Sequence, residues 1–263
     1  MKTYLISLKS AVERRAFQYE QLTALGLDFT IFDALVPNQL TELNTDLKRD
    51  NWERPLMPTE LACFLSHYAV WQLVSNSVEN ALILEDDVIL SKNTPAFLKV
   101  AQNIAGIDHL TLETRLRKKL ISTPVNVAPG FGISRLIQDR SGAAAYLISP
   151  AGAKKLISSA FVNGVALADA FIANNHDIRS FQAIPALAIQ SDISAEYGIT
   201  SNLKTISYIQ LNDKRYNHTQ NGFRKIKFKR RRLAAQTKLA WRFFTHILTA
   251  KRKFVSVDTN GFY

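Results

Sequence analysis

Apolar residues occur in short blocks separated by more polar stretches, which is the pattern of strands that alternate with helices. Residues 3–8 and 29–35 are predicted strands. Residues 10–25 between them favour a helix, and Gly26 supplies its stop. A strand, a helix and a second strand within about 35 residues form a βαβ unit, whose strands are parallel. The beginning of the chain therefore predicts an α/β fold.

The alternation continues along most of the chain. Residues 60–75 are a predicted helix with Thr59 as its N-cap, preceded by an irregular or helical excursion over residues 37–58. Further elements are predicted as strands at residues 81–84, 88–90, 109–112, 143–148 and 181–190, and as helices from residue 149 and around residues 168–173. We expect one α/β domain over residues 1–206, followed by a separate C-terminal region over residues 207–263.

The composition is that of a folded protein that needs no oxidising compartment. The 263 residues are 47% hydrophobic, which is enough for a sizeable core. The single cysteine, Cys63, cannot form an internal disulfide. The first apolar stretch is shorter than a secretory signal requires, and no run approaches the ~20 residues of a membrane span. We expect a cytoplasmic protein.

The net charge of +11 is concentrated near the C-terminus. Residues 214–257 contain no Asp or Glu and roughly 14 of the 33 Lys and Arg residues, interleaved with side chains such as Trp241 and Phe244. Such a segment fits the plane of an anionic bilayer, so we predict peripheral attachment to the inner face of the cytoplasmic membrane. The alternative is that its aromatic side chains pack on the body. The body has no nucleic-acid motif, and we expect no such partner.

Three consecutive acids, Glu85, Asp86 and Asp87, follow the strand predicted at residues 81–84 and interrupt apolar sequence on both sides. Adjacent carboxylates repel one another unless a cation offsets them. Hard cations such as Mn²⁺ or Mg²⁺ prefer carboxylate oxygens and also bind substrate phosphates. Since alternate strand residues share a face, Glu85 and Asp87 are expected to point together into a cleft, with Asp86 turned away. A solvated acidic turn is the alternative.

Six segments, in order, resemble glycosyltransferase family 25, and more closely its bacterial lipooligosaccharide galactosyltransferases: YLISLKSAVERR, FDAL, ACFLSHYAVW, LILEDDVIL, LTLETRL and GAAAYLISPAGAKKL. The resemblance implies a GT-A-like nucleotide-sugar-binding fold with a mostly parallel central sheet, which a basic helical tail follows here. It also implies a metal-dependent, inverting transfer of galactose from UDP-galactose. The implied acceptor is a terminal glucose or GlcNAc of lipooligosaccharide, and the implied metal is Mn²⁺ or Mg²⁺.

The acidic triplet matches the metal motif of this family in an E-x-D form. The resemblance makes Asp87 the first choice of metal ligand, puts Glu85 beside the ribose or a metal-bound water, and counts Asp86 with the donor-binding residues. Gln190 falls where a late metal or phosphate ligand is expected, although an amide oxygen binds a hard cation more weakly than a carboxylate does.

The resemblance also places the donor nucleotide beside Ser7, Arg14, Arg15 and Asp33. A guanidinium group suits the oxygens of a diphosphate, although the two arginines also fit a solvated helix face. His67 matches the second residue of the family's Ser-His pair and is counted with the donor-binding residues. A histidine that merely packs in the core is the alternative.

An inverting displacement needs a base that takes the proton of the acceptor hydroxyl. Asp169 is the predicted base, by resemblance to the order of motifs in this kind of enzyme, and an N-cap role is its alternative. Glu113 and Asp139 are the other candidates. The small residues at 142–145 are expected to allow close approach of the sugar and the acceptor.

Two other donor or function classes remain open from the sequence. The donor could be another UDP-sugar such as UDP-GlcNAc, or the chain could be a non-catalytic module that binds nucleotide sugars or RNA. A two-metal phosphohydrolase is disfavoured because the acids form one cluster rather than several dispersed motifs.

Overall fold

A computed structural model describes residues 1–41, 46–139, 142–201, 203 and 222–262. The strands in these ranges are β1 (Lys2–Ser7), β2 (Thr30–Asp33), β3 (Ala81–Glu85), β4 (Val88–Leu90), β5 (His109–Thr111), β6 (Lys119–Ser122), β7 (Val125–Ala128), β8 (Phe131–Gln138), β9 (Ala145–Ile148), β10 (Ser180–Ile184), β11 (Ala188–Gln190) and β12 (Ala250–Lys253). The helices are α1 (Val12–Ala24), α2 (Pro58–Ser75), α3 (Thr94–Ala101), α4 (Pro150–Asn163), α5 (Ala168–Asn174) and α6 (Gly222–Thr245).

One large sheet runs through the molecule in the order β12-β6-β8-β10-β5-β9-β3-β1-β2, with β7 paired to β8. Strand β1 is parallel to β2 and β3, and β5 is parallel to β10, whereas the other described ladders of this sheet are antiparallel. The predicted α/β class is confirmed, and the sheet is mixed. Its parallel edge brings the carboxyl ends of β1, β2 and β3 together, which is where ligands bind in such sheets.

Strand β3 is buried on both faces, which explains its continuous apolar sequence. Ala81 and Ile83 pack into the layer of α2, α4 and α5, and Leu82 and Leu84 pack into the layer of α1 and α3. Because side chains alternate along a strand, Glu85 continues on the face of Ala81 and Ile83. The strand therefore delivers this carboxylate towards α2.

Helix α2 begins at Pro58, with Met57 as its N-cap. The predicted N-cap, Thr59, is wrong. The carboxylate of Glu60 accepts a hydrogen bond from the Met57 backbone N–H at 2.9 Å and is itself held by two guanidinium nitrogens of Arg54. The side chain of Glu60 thus satisfies the Met57 N–H, which has no partner within the helix. Pro58 suits the first turn because a backbone N–H at that position would have no helical acceptor.

The sequence did not predict several elements. Strands β6, β7 and β8 form an antiparallel extension of the sheet, and α3 packs Phe97 and Leu98 against the second layer. The single strand predicted at residues 181–190 is two strands, β10 and β11, which lie on either side of Pro185. A proline cannot donate to a strand ladder, so the chain leaves the main sheet there and β11 pairs with β4 instead.

The C-terminal residues pack against the body. Strand β12 pairs with β6 at one edge of the main sheet, and Arg242 of α6 donates to the Ile137 carbonyl at 2.7 Å. Asp258 accepts a hydrogen bond from Ser91 Oγ at 2.6 Å. The predicted boundary between residues 206 and 207 lies outside the described residues.

Among the described helices, none is by itself long and apolar enough to cross a membrane. One pair, α4 with α5, meets the criteria of length and composition together, with a bend of 103° between the two helices.

Candidate active site

The acidic triplet lies at the parallel edge of the sheet. Glu85 is the last residue of β3, and Asp86 and Asp87 form the turn that leads into β4. Gln18 of α1 is fully buried and fixes this turn, because its side-chain amide donates to the carbonyl oxygens of Asp86 at 3.1 Å and Val88 at 2.6 Å. Because Gln18 fixes the backbone of the turn, the positions of Asp86 and Asp87 are also fixed.

Asp86 is bound by two of the predicted donor-site residues. Ser7 Oγ donates to one of its carboxylate oxygens at 2.6 Å, and Arg14 pairs with the other at 2.9 Å. Asp86 is buried, yet it lines the same cleft as Glu85 and Asp87, so the expected separation of Asp86 from the other two is only partial. Its contacts orient Ser7 and Arg14 at the cleft wall.

Asp87 carries the feature that fits a cation. Its Oδ1 atom is buried and has no hydrogen-bond partner among the described residues, and its side chain is hydrogen-bonded to Gln190. Burial, together with the charges of Glu85 and Asp86, raises the pKa of Asp87 to about 7. A carboxylate that lies beside other carboxylates and has an oxygen without a hydrogen-bond partner is a suitable ligand for a hard divalent cation.

Glu85 is oriented by a chain of hydrogen bonds from α2. His67 Nε2 lies 3.0 Å from Glu85 Oε1, and His67 Nδ1 lies 3.0 Å from the Tyr146 hydroxyl, to which Trp71 Nε1 donates at 2.8 Å. Since a carboxylate oxygen only accepts, the ring proton is assigned to Nε2, which donates to Glu85, and Nδ1 then accepts from the Tyr146 hydroxyl. The fully buried His67 is thus both a packed core residue and a partner of the site.

The second predicted arginine contacts backbone and Asp33. Arg15 donates to the Ser7 carbonyl at 2.7 Å and to Asp33 at 2.7 Å, and Lys9 lies 3.3 Å from the same carboxylate. The hydrogen bond from Arg15 lowers the pKa of Asp33. Asp33 is half-exposed and sits beside the cleft rather than among its lining residues.

The first cleft has a volume of about 300 Å³ and is largely apolar. One side carries the polar groups of Ser7, Arg14 and the three acids, and the other is formed by residues 34–37 after β2 and by the first turns of α2. A cleft that combines an apolar lining with charged groups suits a nucleotide, with its nucleobase against the apolar residues and its phosphates near the charged ones.

A second pocket, of about 240 Å³, adjoins the first. The two share Cys63 and Glu85 as lining residues, so Glu85 stands on the wall between them. The second pocket is also lined by Asp169, by the small residues at 142–144, and by Arg115 and Gln190. Gly142 has a φ of +124°, a backbone conformation that L side chains rarely adopt, so glycine is favoured at this position. The residues at 142–144 therefore add little side-chain bulk to the pocket lining.

Asp169, in the first turn of α5, is the base candidate that reaches a pocket of useful size. The N-cap of α5 is Leu167, so Asp169 does not cap the helix, although it accepts a hydrogen bond from the Ala170 N–H at 2.6 Å. Burial raises the pKa of Asp169. A carboxylate with a raised pKa is a stronger base than an exposed one.

The other two base candidates lie behind the pocket wall. Glu113 is 1% exposed, accepts from the Ala144 N–H at 2.6 Å, and has its pKa raised to about 8 by burial. Asp139 forms a buried ion pair of 2.7 Å with Lys119, which is fully buried and also donates to Gln182. Because of these contacts, Glu113 and Asp139 support the segment of small residues at 142–144 and do not face the second pocket.

Gln190, the predicted late metal or phosphate ligand, is hydrogen-bonded to Asp87. Its amide oxygen accepts a hydrogen bond from Arg115, whose other nitrogen pairs with Asp192 at 2.6 Å. Gln190 therefore connects Arg115 to Asp87. Its amide oxygen, the atom that would bind a cation, already accepts a hydrogen bond from Arg115.

Sequence reasoning missed three members of the site. Gln18, Arg115 and Cys63 were not predicted as site residues, although Cys63 lines both pockets. The spacing of Cys63 and His67, one helical turn apart, was the available signal for Cys63. No local pattern identified Gln18 or Arg115, because their partners lie 68 and 75 residues away.

Comparison with known proteins gives related sequences along most of the chain. Residues 1–172 match the family described as Glycosyltransferase family 25 (LPS biosynthesis protein). The chain is 31% identical over 199 residues to the lipooligosaccharide biosynthesis protein lic2B of Haemophilus influenzae, which covers 71% of this chain and 75% of that protein. It is 27% identical over 233 residues to procollagen galactosyltransferase 1-B of Xenopus laevis, covering 78% of this chain but 38% of the longer relative.

A solved structure with low similarity is a mutant Drosophila β1,4-galactosyltransferase 7 in complex with manganese, UDP-Gal and xylobiose. Its TM-score is 0.38 and its sequence identity 10%, over 84% of this chain and 82% of that one. The family assignment comes from the sequence matches, which cover the acidic triplet and the first cleft. On the match over residues 1–172, the chain belongs to glycosyltransferase family 25.

Proposed function

We propose that the chain transfers galactose from UDP-galactose to a sugar of lipooligosaccharide, in an inverting reaction that depends on a divalent cation. The observation that carries the proposal is the buried Oδ1 of Asp87, which has no hydrogen-bond partner among the described residues, on a residue that lines the cleft with two further carboxylates. The names of the Haemophilus and Xenopus relatives support a lipooligosaccharide acceptor and galactose as the sugar.

The donor nucleotide fits the first cleft. Its base and ribose lie against the apolar wall after β2, and its diphosphate lies near Arg14 and the acidic triplet. Asp87 and Glu85 would hold the cation, which would offset the negative charge that develops on the leaving diphosphate. Ser7 and Asp86 keep Arg14 in place through the contacts described above.

The second pocket receives the galactose and the acceptor. The acceptor hydroxyl attacks the anomeric carbon, the bond from that carbon to the diphosphate oxygen breaks, and UDP leaves on the opposite face. Asp169 takes the hydroxyl proton, for which its raised pKa suits it. The small residues at 142–144 allow the sugar to approach the sheet closely.

Helix α6 supports attachment to an anionic membrane surface. One face packs on the body through Phe228, whereas Ile226, Leu233, Trp241 and Phe244 are each more than half exposed. Their spacing places these four side chains on one outward stripe of the helix. No acid occurs in α6, and exposed Lys and Arg side chains flank the stripe. Apolar side chains flanked only by cations fit a bilayer rich in anionic lipid.

The proposal is tested by incubating the full chain with Mn²⁺ and a panel of UDP-sugars, first alone and then with lactose precursors or truncated glycolipid as acceptors. UDP release is expected with UDP-galactose, and Asp87→Asn is expected to lower it by about 100-fold or more. The matched control is Asp28→Asn, an exposed aspartate outside the clefts. Asp87→Asn with unchanged turnover, or binding of UDP-galactose without any turnover, contradicts the proposal and favours a binding module.

A further inference from the structure

The wall between the two pockets carries a second set of metal-ligand atoms. Cys63 and His67 lie one turn apart on α2, and Glu85 faces them from the end of β3. One ligand atom from each residue lies within 4.8 Å of the other two. Cys63 and Glu85 line both pockets, so an ion reaches this cluster from either side.

The three ligand types differ from those of the proposed donor-cation site. Thiolate, imidazole and carboxylate together are the ligands of zinc and related transition ions, whereas Mg²⁺ and Mn²⁺ prefer oxygen alone. Three protein ligands leave the fourth tetrahedral position open to solvent or to substrate, as in zinc sites that are not purely structural.

The surroundings of His67 also fit a metal ligand. Histidines that bind metal usually donate their other ring N–H to a fixed partner. When Nε2 binds the ion, the ring proton resides on Nδ1, which lies 3.0 Å from the Tyr146 oxygen. The Cys63 thiol proton passes to solvent as the thiolate forms, so that one proton is released for each ion bound.

We propose that Cys63, His67 and Glu85 form a binding site for a divalent transition ion of the zinc class, which shares Glu85 with the oxygen site but does not use Asp87. Occupation of this site removes Glu85 from the donor cleft and places an ion on the wall between the donor and acceptor pockets. Zinc is therefore an inhibitor of transfer. The inhibition rests on the proposed function, whereas the binding of the ion does not.

The single cysteine makes the test specific. A thiolate bound to Co²⁺ gives a charge-transfer absorption band in the near ultraviolet, and in this chain only Cys63 supplies a thiolate. The metal-free full-length protein is titrated with Co²⁺ at neutral pH, and Zn²⁺ is then added. We expect one band that saturates at one ion per chain and disappears when Zn²⁺ displaces Co²⁺.

Four variants distinguish this site from the donor-cation site. Cys63→Ser is expected to abolish the band, and His67→Gln and Glu85→Gln to weaken Co²⁺ binding by about 10-fold or more. Asp87→Asn is expected to keep the band while losing Mn²⁺-dependent turnover. Absence of the band in the wild-type chain, or a band unchanged in His67→Gln and Glu85→Gln, overturns the proposal. Loss of turnover in Asp87→Asn with the band retained supports an ion bound by Cys63 that does not depend on Asp87.

The inhibition is tested separately, with Mn²⁺-supported turnover of UDP-galactose. We expect Zn²⁺ to inhibit the wild-type chain, and the concentration for half inhibition to rise by about 10-fold or more in Cys63→Ser. Equal inhibition of both proteins contradicts a role for this site in transfer.

Discussion

His67 Nε2 lies 3.0 Å from Glu85 Oε1, and this contact joins helix α2 to the end of strand β3. The contact has a structural origin, because β3 alternates its side chains between two buried layers and delivers Glu85 to the face of α2. Behind His67, Tyr146 and Trp71 fix the ring orientation. The orientation of Glu85, on the wall between the two pockets, is therefore determined by buried core residues.

This contact predicts the effect of replacing His67. His67→Gln is expected to lower turnover of UDP-galactose by about 10–100-fold, because Glu85 loses the ring that orients it. His176→Gln, a change of the same kind at a residue that lines neither active-site pocket, is the control and is expected to retain activity. Steady-state kinetics with circular dichroism of both variants measures the effect. Full activity of a folded His67→Gln protein contradicts the positioning role.

Glu113 predicts a pH-dependent stability. Its pKa is about 8 in the folded chain and 4.5 in an ordinary environment, so between these values the folded chain holds a proton that the unfolded chain has released. Stability from this group is complete below pH 4.5 and is lost as the pH rises through about 8. Glu113→Gln removes this loss and is expected to raise the melting temperature by a few degrees at about pH 9.

The control for Glu113→Gln is the same comparison at about pH 4, where the variant and the wild-type chain are expected to melt at similar temperatures. Thermal unfolding followed by circular dichroism provides both values. A variant that is equally destabilised at the two pH values would show that the carboxylate form is required by the fold.

The ion pair of Lys119 and Asp139 predicts a large loss of stability when one partner is removed. Both side chains are buried, so Lys119→Met removes the cation of a buried ion pair and is expected to cost about 3–5 kcal/mol in the free energy of unfolding. The double variant with Asp139→Asn is expected to recover most of this cost. Lys227→Met breaks an exposed pair with Asp50 and is the control, with an expected change of about 0–1 kcal/mol.

Chemical denaturation of these variants gives the free energies of unfolding. A loss for Lys119→Met no larger than that for Lys227→Met would mean that the buried pair does not support the sheet beneath the second pocket.

The exposed face of α6 predicts reversible membrane binding. Replacing Trp241 and Phe244 by Glu is expected to abolish co-sedimentation with vesicles rich in phosphatidylglycerol, because both the apolar contact and the charge complementarity are lost. The control is Phe161→Glu, which changes an equally exposed apolar residue on α4. Equal binding of both variants, or equal binding to neutral vesicles, contradicts docking through α6.

The sequence predicted the elements that have strong local patterns. The strands at β1, β3 and β4 and the helices α1, α2, α4 and α5 were found near their observed bounds, because apolar blocks, prolines and glycines mark them. The acidic triplet was recognisable for the same reason, since polar residues interrupt a buried strand. Its neighbours Ser7, Arg14 and His67 came from the family resemblance rather than from any local pattern.

Other features depended on distant pairing and were not predictable from local sequence. Strands β6 to β8 are stabilised by pairing with one another and with β10. Strand β12 is stabilised by pairing with β6, which lies more than 100 residues earlier in the chain. Lys119 appears in sequence as one of a run of basic residues, yet it is fully buried against Asp139. Only the fold reveals that this lysine has an acidic partner.

The central claim is that Asp87 holds a divalent cation against the diphosphate of a sugar nucleotide. The most direct measurement is an anomalous difference map from crystals of the full chain soaked with Mn²⁺ and UDP. We expect a manganese peak about 2.2 Å from a carboxylate oxygen of Asp87 and in contact with a diphosphate oxygen. A bound UDP with no peak within bonding distance of Asp87 would contradict it.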